Sequence, residues 1–410
     1  MSVFEGLKVL DVASYVAAPA AATILSDFGA EVIKIEPPDA GDGYRVMSAL
    51  PNLPKSEHNY AWDLVSRNKL GLALDLRSSS GQAVLHRLVE QADVLITNYP
   101  IAVRTRLGLE PQALLSLNPR LVFASVSGYG ETGPEADRLG FDATAYFARS
   151  GLTDITRADE HAPPTAPAMA QGDQPTASTL FGAIVTALYR RERTGLGGVV
   201  STSLLANGIW ANAAMVQAAL AGAEIRYRLA RHKPRSALSN FYRCADDRWL
   251  SIAMVSEIKL WPVLLQVLGL PELGSDTRFA TMESRRNNAQ KLTEIFDSVF
   301  LRQDATEWQR QLEAAGGFTV SVVARLSDVP HDKQAVHAGA FVEADGMGGT
   351  PFTVDSPFRI DGVKKVRPRG APALGQHSRD VLRCSGYTDA EIDVLVQKGV
   401  VMEGIREPRQ

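Results

Sequence analysis

Cysteine is nearly absent from this 410-residue chain: Cys244 and Cys384 stand far apart and outside any C-x-x-C pair. That excludes a disulfide framework and the cysteine-rich zinc ligand sets, and it suits a reducing cytosol, so the expected location is cytoplasmic. Charge of one sign is missing too. Lys and Arg number 43 against 46 Asp and Glu, a net of −3, so no basic surplus marks a nucleic-acid footprint. The opening segment MSVFEGLKVLDVA has no basic start followed by an apolar run, and does not read as a signal or transit peptide. The longest apolar stretch, from about Ser203 to Ala223, is interrupted by Asn207, Asn212 and Gln217. It reads as a buried helix rather than a membrane span.

Motifs for bound cofactors are lacking as well. The first strand-to-helix turn reads Ser14-Tyr15-Val16-Ala17-Ala18-Pro19, without the glycines that let a backbone approach a pyrophosphate. NAD or FAD binding is therefore disfavoured, although Glu36 ends the second strand where a ribose-binding acid would sit. No G-x-x-x-x-G-K-[ST], H-E-x-x-H or G-x-S-x-G occurs, and no metal-ligand spacing. Two S-x-x-K matches, Ser66–Lys69 and Ser256–Lys259, stand in unlike contexts and read as chance. His377 in GQHS reads as a structural or surface residue. The expectation is no metal and no nucleotide redox cofactor.

What is present is a core-forming composition, 45% hydrophobic with 22% charged, enough for roughly two or three domains at about 150 residues each. LKVLDVA at 7–13 reads as a buried strand, Ala20–Phe28 as a helix with Pro19 in its first turn and Gly29 beyond its end, and EVIKIE at 31–36 as the next strand. The grammar recurs with ALDL near 73–76, a helix from about 81 to 91, and DVLITN at 93–98, which predicts an α/β fold with a mostly parallel sheet. After LVFASVS at 121–127 the chain turns Gly- and Pro-rich until a helix from about Thr176 to Arg193. Arg226–Arg235, with five basic residues and no acid, reads as a linker. Beyond it come a hairpin around Asp246–Asp247, several amphipathic helices, and a strand-like SVVARL at 321–326.

Gln171-Gly172-Asp173-Gln174-Pro175 is the most informative local feature. In one reading Asp173 merely caps the helix that follows, since aspartate accepts the free N–H groups at a helix start. In the other, the positive end of the helix dipole keeps the carboxylate ionised while Gly172 leaves room for a substrate, and the carboxylate serves as a covalent nucleophile. Residue pattern alone leaves both open.

Nine segments then stand in a telling order: GLKVLDVASYVAAP at 6–19, LSDFGAEVIKIEPPDAGD at 25–42, NKLGLALDLRSSSG at 68–81, ADVLITNY at 92–99, RLGL at 106–109, NPRLVFASVSGYGETGP at 118–134, GFD at 140–142, ALYRRERTGLGG at 187–198 and PALGQHSRDVL at 372–382. In these the chain resembles the class III CoA-transferases, the family of formyl-CoA transferases, carnitine CoA-transferases and α-methylacyl-CoA racemases. The resemblance implies a large doubly wound, Rossmann-like domain over 1–225 and 332–410, a smaller α/β domain over 226–331, and an interlocked, ring-like homodimer. It implies a CoA-transferase of the EC 2.8.3 type, with Asp173 as the nucleophile and coenzyme A entering as a co-substrate. Residue by residue it places CoA at Val16 and Ala17, at Leu74, Asp75, Leu76 and Arg77, at Asn98 and Tyr99, and at Arg106.

Departures from the family pattern narrow the activity. Pro37 replaces an arginine that can follow the acid at position 36, and Val16 replaces the glutamine of formyl-CoA transferases, so either polar help at a thioester is left to backbone N–H groups such as those of Ala17 or Ala18, or the substrate differs. Phe141 stands where the racemases carry a histidine, which disfavours racemisation. The rival readings are an acyl-CoA racemase or isomerase and a non-catalytic acyl-CoA-binding protein. For Arg226–Arg235 the alternative to a plain linker is an attractor for a dicarboxylate.

Overall fold

The computed structural model describes residues 2–404 other than 52, 255 and 349; residues 405–410 of the expected 332–410 segment lie outside the described residues. The chain divides into two compact units, one made of Met1–Leu152, Ala166–Gln217 and Gln334–Gln410, the other of Thr153–Thr165 and Ala218–Lys333. Residues 153–165, which sequence position assigns to the larger domain, pack with the smaller one.

In the larger unit, runs of apolar residues make the strands and turn residues end them. β1 (Lys8–Val12), α1 (Ala17–Asp27), β2 (Glu31–Glu36), α2 (Tyr60–Ser66), β3 (Leu70–Leu74), α3 (Ser79–Val89), β4 (Val94–Thr97), α4 (Ile101–Leu107), α5 (Pro111–Leu117), β5 (Val122–Ser127), α7 (Asp173–Thr194) and β6 (Gly198–Ser203) belong to it, and the short α6 (Leu152–Ile155) leads into the segment 153–165 of the smaller unit. The sheet runs β3-β2-β1-β4-β5-β6, all parallel, with the short strand Val401–Met402 added antiparallel to β3. The order reverses between β1 and β4. A crevice therefore opens at their carboxyl ends, where open α/β sheets take ligands.

Alternation along each strand feeds two cores. Val9, Val32, Ile96 and Ala124 face α1 and α7, while Leu10, Ile33, Leu95 and Phe123 face α3 and the C-terminal helices. Every residue of α1 is buried. Its alanines, Ala17, Ala18 and Ala20–Ala22, let the helix lie close between the sheet and α7. The third strand begins at Leu70 and stops at Leu74, earlier than ALDL suggests, because Asp75 turns the chain by accepting the Arg77 N–H at 3.1 Å.

The smaller unit holds an antiparallel sheet, Ser239–Arg243, Trp249–Ala253 and Val320–Val322. Its core packs Trp261, Phe296, Phe300 and Trp308 from the helices Glu257–Leu268, Ala289–Phe300 and Ala305–Ala315. Asp247 closes the expected hairpin in the left-handed region, φ 59°.

The apolar stretch after Ser203 differs from expectation. It breaks at Asn212 into the helices Leu204–Ala211 and Ala213–Leu220, and it is buried only in part: the first helix buries Leu204, Asn207 and Gly208, while Trp210 is 80% exposed and the second helix buries no residue. Among the described residues no helix is long and apolar enough to cross a membrane.

Candidate active site

Asp173 is the first residue of α7, and Gly172 occupies the capping position. A glycine is required there by close packing: a Cβ would lie 2.6 Å from Cγ of Tyr146. The chain enters through Ala170, held at φ 61°, and the Thr176 hydroxyl donates to the Gly172 carbonyl at 2.8 Å. The capping role is not what Asp173 performs, because no side-chain bond caps this helix and no hydrogen-bond partner for its carboxylate is found among the described residues. The carboxylate is partly buried and unpaired.

Its nearest electrostatic neighbour is another acid. Asp142 accepts the Gly172 N–H at 3.3 Å and the Ala143 N–H at 2.7 Å, which ties it to the same loop. Burial and then the charge of Asp142 push the Asp173 carboxyl up to about 7. Desolvation and a like charge thus act against the positive end of the helix dipole, which favours the ionised form. Tyr44, buried beside them, has its phenol pushed up to about 12 by burial and by the negative charge of Asp173.

The residues expected to hold CoA fall into two groups. Leu74, Asp75, Leu76, Arg77 and Tyr99 line one cavity of about 190 Å³ at the carboxyl ends of β1, β2 and β3, together with Glu36 and Pro37. Arg77 is exposed there and pairs with Asp39 at 3.1 Å and Asp75 at 2.7 Å. Val16, Ala17, Asn98 and Arg106 do not line that cavity. Val16 and Ala17 are buried at the start of α1, where first-turn N–H groups have no intrahelical partner. Asn98 joins the two sides of the crevice, accepting the Ser14 N–H at 2.9 Å and donating to the Ser14 carbonyl at 2.7 Å. Its amide therefore fixes the first turn. Arg106 is exposed in the last turn of α4.

Sequence reasoning passed over a set of buried charges beneath this crevice. Lys34 and Asp11, both fully buried, sit in the central strands, with the Lys34 ammonium 2.9 Å from Asp42 and 3.8 Å from Asp11. Lys69 reaches Asp11 at 2.8 Å and the carbonyls of Pro19 and Val65 at 2.7 and 2.6 Å. Burial opposes the charge on Lys34, but Asp11, Asp42 and Glu36 outweigh it and hold the ammonium above the ordinary lysine range. Lys69 keeps less compensation, and burial brings it down to about 8. Glu36 accepts the Arg45 guanidinium at 2.7 Å through both oxygens and the Asp42 N–H at 3.0 Å, so it is not free to hold a ribose. Arg104, also buried, donates to the Tyr99 carbonyl at 2.7 Å and pairs with Glu131, fastening the loop after β5 to α4. A lone Asp or Lys inside an otherwise apolar parallel strand was the available signal.

The model for CoA-transferase family III matches residues 4–378. The chain belongs to that family. Among its family III relatives, the (R)-2-hydroxy-4-methylpentanoate CoA-transferase of Clostridioides difficile is 33% identical over 97% of this chain and 99% of its own length. The cinnamoyl-CoA:phenyllactate CoA-transferase of Clostridium sporogenes is 30% identical over 98% of each. In three dimensions this family III chain is similar to a CaiB/BaiF family protein from Brucella suis, with a TM-score of 0.83 and 26% identity over 94% of this chain and 99% of that one.

Proposed function

We propose that this CoA-transferase moves CoA from an acyl-CoA thioester to a carboxylic acid acceptor through covalent intermediates on Asp173. One observation carries the reading: a partly buried carboxylate at the start of α7 that has no hydrogen-bond partner among the described residues and is pressed by a second acid. A carboxylate so placed gains by losing its charge, and acylation removes it. The basicity that burial confers also makes it a better nucleophile than an exposed aspartate.

The Asp173 oxygen attacks the thioester carbon, the C–S bond breaks, and a mixed anhydride forms as CoA thiolate leaves. The thiolate attacks the aspartyl carbonyl, the donor acid departs as its carboxylate, and an aspartyl-CoA thioester remains. The acceptor carboxylate attacks that thioester and expels the thiolate. The thiolate then attacks the acceptor's carbonyl, giving the new acyl-CoA and restoring the Asp173 carboxylate. Atoms and charges balance with no ATP and no redox partner.

The CoA would lie along the crevice, with its phosphates near Arg77 and Arg106 and its thioester near the N–H groups of Ala17 and Ala18. The interlocked homodimer and the cytoplasmic location belong to the same proposal. Hydroxylamine added during turnover should leave a hydroxamate at Asp173, and Asp173→Asn should lower transfer by about 10⁴-fold, the scale of losing a covalent nucleophile. Full transfer by the Asn variant, or no label at that residue, overturns the reading.

A further inference from the structure

We propose that Tyr15 and Phe141 form a fixed aromatic wall beside Asp173 that selects apolar, branched or aromatic acyl groups; the inference rests on the reading of Asp173 as the reacting group. The two rings meet edge to face, with centroids 5.6 Å apart and planes at 83°. Phe141 is 60% exposed and Tyr15 39%.

Tyr15 is held from three sides. Its backbone stands at φ 64°, a left-handed conformation that a bulky residue adopts only when its surroundings compel it. Its N–H is taken by Asp42 at 3.0 Å, and the same oxygen takes the Tyr44 N–H at 2.9 Å. Asp42 is itself anchored by the buried Lys34 at 2.9 Å. Beneath the ring lies Gly43, where a Cβ would come within 3.0 Å of the Tyr15 hydroxyl oxygen. The buried charges thus also hold, through Asp42, the backbone from which the Tyr15 ring projects.

Phe141 carries the wall to the reacting group. It immediately precedes Asp142, whose carboxylate accepts the N–H of Gly172, the residue before Asp173. The wall therefore runs from the first turn, with Val16 and Ala17 next in sequence, to the loop that carries the nucleophile. The rings are apolar, and the acids tied to the same loop, Asp142 and Asp173, bring negative charge to it. A second carboxylate on the acyl group would be repelled there, while a branched or aromatic group would cover the rings and leave water.

Thioether analogues of acyl-CoA, which no nucleophile cleaves, test this on the intact protein without calling on the Asp173 chemistry. Calorimetry with S-ethyl-, S-isopentyl- and S-phenethyl-CoA should give binding of the bulky analogues at least about tenfold tighter than the ethyl one, the scale of one or two added apolar contacts. Phe141→Ala and Tyr15→Gly should each cut that preference about fivefold or more, while Tyr15→Phe, which keeps the ring, should retain it. A preference below about threefold in the parent, one that survives both truncations, or one that Tyr15→Phe abolishes overturns the proposal. A hydroxamate that fails to form at Asp173 would instead overturn the nucleophile and leave the binding preference standing.

Discussion

Asp11 and Asp173 are carboxylates of the same unit, both drawn away from bulk water, and they differ in company. Asp11 has the Lys69 ammonium at 2.8 Å and that of Lys34 at 3.8 Å, inside a set that also engages Asp42. Among the described residues Asp173 has no such cation, only the negative charge of Asp142. The comparison separates two uses of a withdrawn charge. Balanced, it locks strands and turns in place and stays inert; unbalanced, it is left basic, and a reaction that neutralises it is favoured.

Breaking the balanced set should have the largest effect. Lys34→Met leaves Asp11 and Asp42 without their shared cation in the interior, at an expected cost of about 3–5 kcal/mol, read as a lower denaturant midpoint at unchanged slope. A loss below about 1 kcal/mol would mean that water already reaches these groups. Gly172→Ala comes next. Its Cβ meets the Tyr146 ring at 2.6 Å, and overpacking of this kind costs about 1–3 kcal/mol. A variant as stable as the parent would place the ring elsewhere.

The unbalanced acid predicts the opposite sign. Because the folded protein raises the Asp173 carboxyl from 3.8 to about 7, the native state holds a proton that the unfolded chain has released between those values. Its contribution to stability is therefore present below about pH 4 and is lost as pH rises toward 7. Asp173→Asn removes that loss, so the variant should be more stable than the parent at pH 7.5, on the order of 2 kcal/mol, and no more stable at pH 4. Melting curves at the two pH values measure this. Equal stabilisation at both would point to packing instead of charge.

The two regions were also unequally legible. The strands of the crevice follow from apolar runs, and α1 from Pro19 and Gly29, because those signals lie within a few residues of what they specify. Asp173 could be singled out from Gly172 before it and the helix after it. Its environment could not: Asp142 lies far back along the chain, and the burial of the carboxylate is not written in the residues beside it. Asp11 in β1, Lys34 in β2 and Lys69 just before β3 pair across the sheet, so no local rule assigns partners. The helices after Ser203 teach the same lesson, since composition reports that Trp210 is apolar and not whether anything covers it.

The smallest prediction tests the pair of acids directly. Two causes raise the Asp173 carboxyl, burial first and the charge of Asp142 second. Asp142→Asn removes the second while an amide oxygen can still accept the Gly172 N–H. The limb of kcat/KM that rises with pH through about 7 should then move down, but not to the ordinary carboxylate range, since burial remains. On the high-pH plateau the variant should be slower, because a less basic carboxylate is a weaker nucleophile. A limb that falls all the way to about pH 4 would make Asp142 the dominant cause. A limb that does not move would uncouple the two acids and leave burial to set the reactivity of Asp173 alone.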